Sequence, residues 1–339
     1  TLKYFIIFFS VLSLYSAIEF WMVLINRFGS IPAVLLNAKV IYRLNISGEL
    51  IGTTPYIYLF ATVPVFFAGI YAAYKGRFTL LTFIPLISII IKETGGGGRA
   101  GMLIALIEFA FSFFLFRHLL NNDFSNRFKF SKVNILIAPI ILIALFILGS
   151  SLVRITRGSE ASENISGATR ELRQTKGNII ISPSVYLYAS CDIGVLSKYL
   201  ISEGDNTGFG QNTFMPFYLI LAKYNIIKRP SEYQRGYFIP MWANTGTYLR
   251  ELHADFGIIG IFFGPFLIGL LITWSWFKFY EKKSLIVFAF LVYLNLIVGL
   301  SFFIMATRVT YWYISLVMIL LCIPLIEKIA LIVYAKNYN

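Results

Sequence analysis

Arg99, Arg250 and Arg308 are placed where a cation could hold a phosphate group. Arg99 closes the run Gly95-Gly96-Gly97-Gly98 and opens an apolar stretch at 100–119. Arg250 stands just ahead of the apolar stretch that begins at Phe256, and Arg308 just ahead of the one that begins at Tyr311. The start of a helix presents unpaired N–H groups and the positive end of the macrodipole. Glycines such as Gly97 and Gly98 let the backbone come close to an anion. A guanidinium adds planar pairs of donors that match phosphate oxygens. Beside Arg250 lie Glu251, His253 and Asp255. If this segment is helical, Glu251 and Asp255 share one face with Arg250 next to them. A carboxylate or imidazole beside a cationic cluster can take a proton from a hydroxyl.

Each of these residues also has a plainer reading. An arginine at a helix end can be an interfacial anchor that snorkels to headgroups, and a glycine run can be only a turn. Arg250 can simply pair with Glu251 or Asp255, and His253 can be a surface histidine. Asp255 can cap a helix that starts near Phe256. Arg154, Arg157, Arg170, Arg173, Arg229 and Arg235 lie in the same extramembrane region. They are solvated, or paired with Glu160, Glu163, Glu171 and Glu232, unless the site recruits them; Arg173 and Arg235 are kept as substrate contacts.

The elements that must position these residues are membrane helices. Of 339 residues, 58% are hydrophobic and only 13% are charged, and the mean hydropathy is +0.75. Ordinary soluble domains are about 45–50% apolar and about 25% charged, so this chain lacks the polar surface to cover a core in water. Apolar windows fall at about 3–25, 56–74, 78–91, 100–119, 133–153, 256–277, 284–304 and 311–333. Each approaches the roughly 20 residues a span requires. The expected fold is therefore all-α and polytopic, with about eight or more transmembrane helices and one large external loop. The chain begins at Thr1 without a methionine or a signal-peptide pattern, so further helices are expected ahead of this numbering.

Basic connections at Lys75/Arg77, Arg117–Lys132 and Lys278–Lys283 alternate as one side of a bilayer should, and they face the cytoplasm under the positive-inside rule. Residues 27–55 carry basic residues against that rule. The layout divides the chain into N-terminal helices at 1–153, a periplasmic loop at 154–255 with surface helices near 179–189 and 213–222, and C-terminal helices at 256–339. The loop holds 11 basic and 9 acidic residues. Loops of this length are commonly functional. In this topology all three arginines reach the outer face together, and that coincidence favours a shared anion site over three separate anchors.

Several function classes are disfavoured. The net charge of +13 is spread between apolar runs rather than gathered into a patch, so no nucleic-acid partner is expected. Cys191 and Cys322 have neither disulfide nor zinc spacing. No GxxxxGK[ST], HExxH or DxD pattern occurs, and no metal or cofactor is expected. Glu19 and Glu108 lie within apolar windows, where an ionisable group is either functional or bonds helix to helix. No internal repeat supports an inverted-repeat transporter.

The segment Thr245-Gly246-Thr247-Tyr248-Leu249-Arg250-Glu251-Leu252-His253-Ala254-Asp255-Phe256-Gly257-Ile258-Ile259-Gly260 resembles the one that closes the large periplasmic loop of bacterial O-antigen polymerases, the Wzy-type oligosaccharide repeat-unit polymerases. Gly97-Gly98-Arg99-Ala100-Gly101 is similar to an upstream arginine-bearing segment of the same family, and the layout of spans and loop matches. The motif likeness covers about 25 residues, and the likeness of layout covers most of the chain. The resemblance implies a GT-C-like glycosyltransferase of the bacterial inner membrane with its site facing the periplasm. Its donor would be a glycan on undecaprenyl diphosphate, the lipid carrier being part of the substrate. Its partners would be lipid-linked oligosaccharide, membrane lipid, a chain-length regulator and a flippase. Arg99, Arg250 and Arg308 would hold the departing diphosphate. Glu251, His253 or Asp255 would orient or deprotonate the acceptor hydroxyl, with Asn244 and Tyr248 contacting substrate. O-antigen ligases end their loop similarly, but usually with a His-Asn pair before Tyr-Leu. Here Asn244 is followed by Thr-Gly-Thr, and no histidine precedes it nearby. The ligase and a flippase of lipid-linked oligosaccharide are the alternatives.

Overall fold

The computed structural model describes residues 1–47, 60–98, 100–123, 140, 144, 147, 183–203, 207–231, 234–239 and 241–338. The chain divides into two units, one of residues 1–158, 282–296 and 314–339, the other of residues 159–281 and 297–313. The described elements are helices, apart from one short antiparallel strand pair. Among the described residues, four helices are long and apolar enough to cross a membrane: Leu2–Phe28, Ala100–Leu119, Tyr248–Lys282 and Thr310–Ile332.

In the first unit, α1 (Leu2–Phe28), α4 (Val63–Lys75), α5 (Leu80–Gly96) and α6 (Ala100–Asp123) pack against one another, with α2 (Ile31–Leu36) and α3 (Ala38–Ser47) beside α1 and α5. α4 is the central element, apolar all round, and its residues Val63 to Ile70 are buried without a break. A helix of that kind belongs inside a bundle. It lies close to α6 because Gly69 has no side chain; a Cβ there would stand 2.6 Å from the Ser112 Cβ. Close approach through small residues is the usual means of packing helices in lipid. Polar side chains add bonds between helices: Ser13 Oγ lies 2.6 Å from Ser88 Oγ, and the Tyr293 hydroxyl donates to Glu108 Oε1 at 2.9 Å. Glu108, expected either to function or to link helices, does link them.

The apolar windows at 56–74 and 78–91 fold as helices of 13 and 17 residues, and the window at 284–304 as α10 (Leu285–Leu300) of 16. These are shorter than the roughly 20 residues of a perpendicular span. The window at 133–153 lies outside the described residues except Ile140, Ala144 and Ile147, which are helical.

The second unit carries α7 (Pro183–Glu203), α8 (Met215–Lys223), the strands β1 (Tyr237–Ile239) and β2 (Met241–Ala243), and α9 (Tyr248–Lys282). The strands pair Tyr237 with Ala243 and Ile239 with Met241, a hairpin that departs from the expected all-α fold. Aromatic and β-branched residues at 237–239 suit a pleated surface. Ile239 packs on Gly194 of α7, where a Cβ would stand 3.1 Å from Ile239 Cγ2.

α9 is two helices joined at a kink. Gly257 has φ 64 and ψ −155, a conformation essentially restricted to glycine. Ahead of it, 248–256 is a short helical segment carrying Arg250, Glu251, His253 and Asp255. Beyond it, 258–282 is an apolar rod that passes tightly against the first segment. A Cβ on Gly260 would lie 2.3 Å from the Leu252 carbonyl, and one on Gly264 would lie 2.5 Å from Leu252 Cδ1. The rod leaves Phe262, Phe263, Phe266, Leu270 and Trp274 exposed, and only 6% of the most apolar stretch of α9 is covered by protein. So much apolar surface is stable in lipid, not in water.

Candidate functional site

The kink turns the 248–256 segment so that two distant pieces of the second unit fasten onto it. The Gly208 N–H donates to the Ala254 carbonyl at 2.6 Å, and the Tyr248 N–H donates to the Ser301 carbonyl at 2.8 Å. Asp255 secures the first piece. Its Oδ1 accepts from the backbone and side-chain amides of Asn212, both at 2.9 Å. Its Oδ2 accepts from the backbone amide and hydroxyl of Thr213, both at 2.6 Å. Although the rod beyond the Gly257 kink begins near Phe256, the expected cap is not formed, because both Asp255 oxygens are taken by Asn212 and Thr213 at the end of the 248–256 segment. Asp255 instead ties loop 207–214 to it.

Arg250, Glu251 and Arg308 meet at the centre of this arrangement, with side chains 4%, 5% and 7% exposed. Arg250 donates from both Nε, at 2.9 Å, and Nη2 to Glu251 Oε1. Arg308 Nη1 donates to Glu251 Oε2 at 2.8 Å and to Asn212 Oδ1 at 2.5 Å, while its Nη2 donates to the Ser231 carbonyl at 2.7 Å. Arg250 Nη1 reaches the Arg235 carbonyl at 3.1 Å. One carboxylate therefore bridges two guanidiniums, and the trio keeps a net positive charge. Burial lowers the Arg308 pKa from its ordinary value and the Glu251 charge opposes that fall, but an arginine stays protonated in either case. Gly246 makes room for the fit, since a Cβ there would stand 2.9 Å from both Cζ and Nη1 of Arg250.

Arg250, Glu251 and Arg308 line a cavity of about 370 Å³ together with Tyr199, Glu203, Gln211, Asn212, Ser231, Gln234, Arg235, Tyr237 and Ala254. That volume is near the lower end of the roughly 300–1,000 Å³ typical of small-molecule sites. Arg235, 71% exposed, pairs with Glu203 at 2.8 Å. The Tyr237 hydroxyl donates to Glu203 at 2.8 Å, and burial together with that carboxylate pushes its pKa up to about 12. Tyr199 Oη lies 3.0 Å from His253 Nδ1, with the two rings edge to face. Burial, then the charges of Glu251 and Glu203, raise the Tyr199 pKa. Below them on α7, Asp192 is fully buried, and neither of its oxygens makes a well-aligned hydrogen bond among the described residues. Burial pushes its pKa up to about 6, against the pull of the Thr245 hydroxyl and the Arg250 charge.

Of the residues singled out from sequence, Arg250, Glu251 and Arg308 converge, and Arg235 joins them at the cavity wall. His253 stands behind Tyr199, and Asp255 is committed to Asn212 and Thr213. Tyr248 is anchored through its backbone, and Asn244 is half-buried outside the cavity lining. Arg99 and Arg173 lie outside the described residues. Gly97 and Gly98 belong to the first unit. Gly97 ends α5 with φ 64, and a Cβ on Gly98 would stand 2.2 Å from Glu93 Oε2. The anion that Gly98 approaches is the chain's own carboxylate. Gly96, Gly98 and Gly101 have the GxGxxG spacing, but they follow a helix and not the strand that dinucleotide binding requires.

Sequence reasoning missed Tyr199, Asn212, Thr213, Ser231 and Gln234. Their partners lie far along the chain, and no spacing marks them. Gly246, four residues ahead of Arg250 in the chain, is the one such neighbour with a signal in the sequence. Among the described residues no group of three His, Cys, Asp or Glu is arranged to hold a metal. Comparison with protein-family models, with curated proteins and with solved structures finds no match to this chain.

Proposed function

We propose that the chain is a membrane glycosyltransferase that polymerises oligosaccharide repeat units carried on undecaprenyl diphosphate, as in O-antigen or related surface polysaccharide synthesis. The observation that carries this reading is the Glu251-bridged pair of buried guanidiniums, Arg250 and Arg308, on the wall of the 370 Å³ cavity. Arg250 and Glu251 lie in the segment whose residues resemble the polymerases, and Arg308 joins them from 57 residues further along the chain. A terminal sugar hydroxyl of the acceptor attacks the donor's anomeric carbon, and the lipid diphosphate departs. Negative charge develops on the leaving diphosphate, and fixed cations in a low-dielectric site stabilise it there more than in water. Positioning supplies much of the remainder. The anomeric configuration inverts in this single displacement. The reaction belongs at the periplasmic face of the inner membrane, with a flippase delivering substrate and a chain-length regulator acting on the polymer.

The test uses the full chain in lipid nanodiscs with an undecaprenyl-diphosphate-linked repeat unit as sole substrate. A ladder of polymer is expected. Arg308→Ala and Arg250→Ala should lose it, Arg308→Lys should restore little because the planar donor fork is gone, and Arg99→Ala probes the third predicted cation. Full ladders from all three alanine variants would overturn the reading. In cells, loss of a polymerase leaves one repeat attached to the lipid A core, loss of a ligase leaves none, and loss of a flippase traps single repeats inside.

A further inference from the structure

An acceptor hydroxyl that attacks an anomeric carbon must give up its proton. Both oxygens of Glu251 already accept from guanidiniums, and both oxygens of Asp255 are taken by Asn212 and Thr213. Tyr199 is placed differently. It lines the cavity and is 5% exposed, and its hydroxyl is hydrogen-bonded to His253 Nδ1 at 3.0 Å. His253 does not line the cavity and is half-buried. Of the two, the tyrosine borders the cavity and the histidine stands behind it.

We propose that Tyr199 is the catalytic residue that receives the proton of the acceptor hydroxyl and hands its own proton to His253. This assignment rests on the glycosyl-transfer reading above. As the acceptor oxygen bonds the anomeric carbon, its proton moves to Tyr199 Oη while the proton already on Oη moves to His253 Nδ1. The bond from the anomeric carbon to the diphosphate oxygen breaks, and its electron pair leaves with the diphosphate beside Arg250 and Arg308. The imidazolium then releases one proton to water, so the net products are the new glycosidic bond, the lipid diphosphate and a proton. Before the step His253 carries its hydrogen on Nε2, which leaves Nδ1 free to accept.

The charged groups facing Tyr199 are Glu203 on its own helix, and Glu251, Asp255 and Arg250 on the 248–256 segment. Three carboxylates against one guanidinium disfavour a tyrosinate, so Tyr199 keeps its proton at neutral pH and works by relay.

The experiment compares wild type, Tyr199→Phe and His253→Gln as full chains in nanodiscs. Two quantities are measured: turnover of the lipid-linked repeat unit against pH, and binding of inorganic pyrophosphate. A relay of this kind is worth about 10²–10⁴-fold. Tyr199→Phe should lower kcat by about a hundredfold with KM and pyrophosphate binding unchanged. Wild-type kcat should fall on the acid side, because an imidazolium cannot accept the relayed proton, and both variants should lose that acid limb. A Tyr199→Phe enzyme within about twofold of wild type, with its acid limb intact, overturns the assignment. So does loss of pyrophosphate binding in either variant, which would make the pair part of the framework of the site. An inert wild type that elongates nothing would instead overturn the glycosyl-transfer reading itself.

Discussion

Replacing Glu251 with alanine tests the central claim that one carboxylate holds two buried guanidiniums together. Glu251 accepts from Nε and Nη2 of Arg250 and from Nη1 of Arg308, and all three side chains are at most 7% exposed. Hydrogen bonds to charged groups are worth about 1.5–3 kcal/mol each, so a simple sum would reach about 4.5–9 kcal/mol. That sum is too large, because the bonds share one carboxylate whose own desolvation they offset. Breaking a buried ion pair typically costs about 3–5 kcal/mol, mostly because the remaining charge is left uncompensated. Here two like charges remain, so the same range is expected. At roughly 2–4 °C per kcal/mol for a chain of this order of size, Tm should fall by roughly 6–20 °C. The assay is thermal unfolding of the full chain in nanodiscs, with and without pyrophosphate. An anion that takes the place of the lost carboxylate stabilises by RT ln(1 + [L]/Kd), about 2.7 kcal/mol at a hundredfold excess over Kd. Pyrophosphate should therefore raise the Tm of Glu251→Ala more than that of wild type. A fall of less than about 2 °C, with equal effects of pyrophosphate on both proteins, would mean that the guanidiniums are hydrated and that Glu251 does not organise them.

Gly246→Ala places a Cβ 2.9 Å from the Arg250 guanidinium. The shift it forces should cost about 1–3 kcal/mol, read as roughly ten- to hundredfold weaker pyrophosphate binding with the fold retained. Gly257→Ala forces a side chain into φ 64, ψ −155, at a cost of about 1–3 kcal/mol in stability. Because the kink turns Arg250 and Glu251 toward Arg308, polymer synthesis should fall further than thermal stability does, as ladders and Tm measured side by side would show. Asp192→Asn is expected to stabilise the protein at neutral pH. The folded-state pKa of about 6 lies above the ordinary 3.8, so the folded state favours the protonated acid. That contribution is full below about pH 3.8 and is lost as pH rises through about 6. The gap corresponds to at most about 3 kcal/mol, and the Tm gain of the variant should be larger at pH 7.5 than at pH 5.

The elements of this protein follow from properties local in the chain. Runs of apolar residues near the length of a span mark 2–28, 100–119, 258–282 and 310–332 as helices for lipid, because no backbone group there can rely on water. The helical spacing of Glu251 and Asp255 and the adjacency of Arg250 and Glu251 are likewise legible, since residues one turn apart meet whatever else the chain does. Asp255 shows where that reasoning stops. Its position before an apolar run suits a cap, and a helix does begin beyond the Gly257 kink, yet the carboxylate serves a loop 43 residues away.

The site itself depends on such distant pairings: Arg308 to Glu251 across 57 residues, and Tyr199 to His253 across 54. The amino-acid order fixed which side chains could carry charge, accept protons or enter lipid. The meeting of those groups was decided by a backbone that turns at Gly257 and docks two remote segments onto one short helix. Helix and span formation depend on residues a few positions apart, whereas a buried polar cluster forms only where packing removes water from groups that the chain itself keeps far apart.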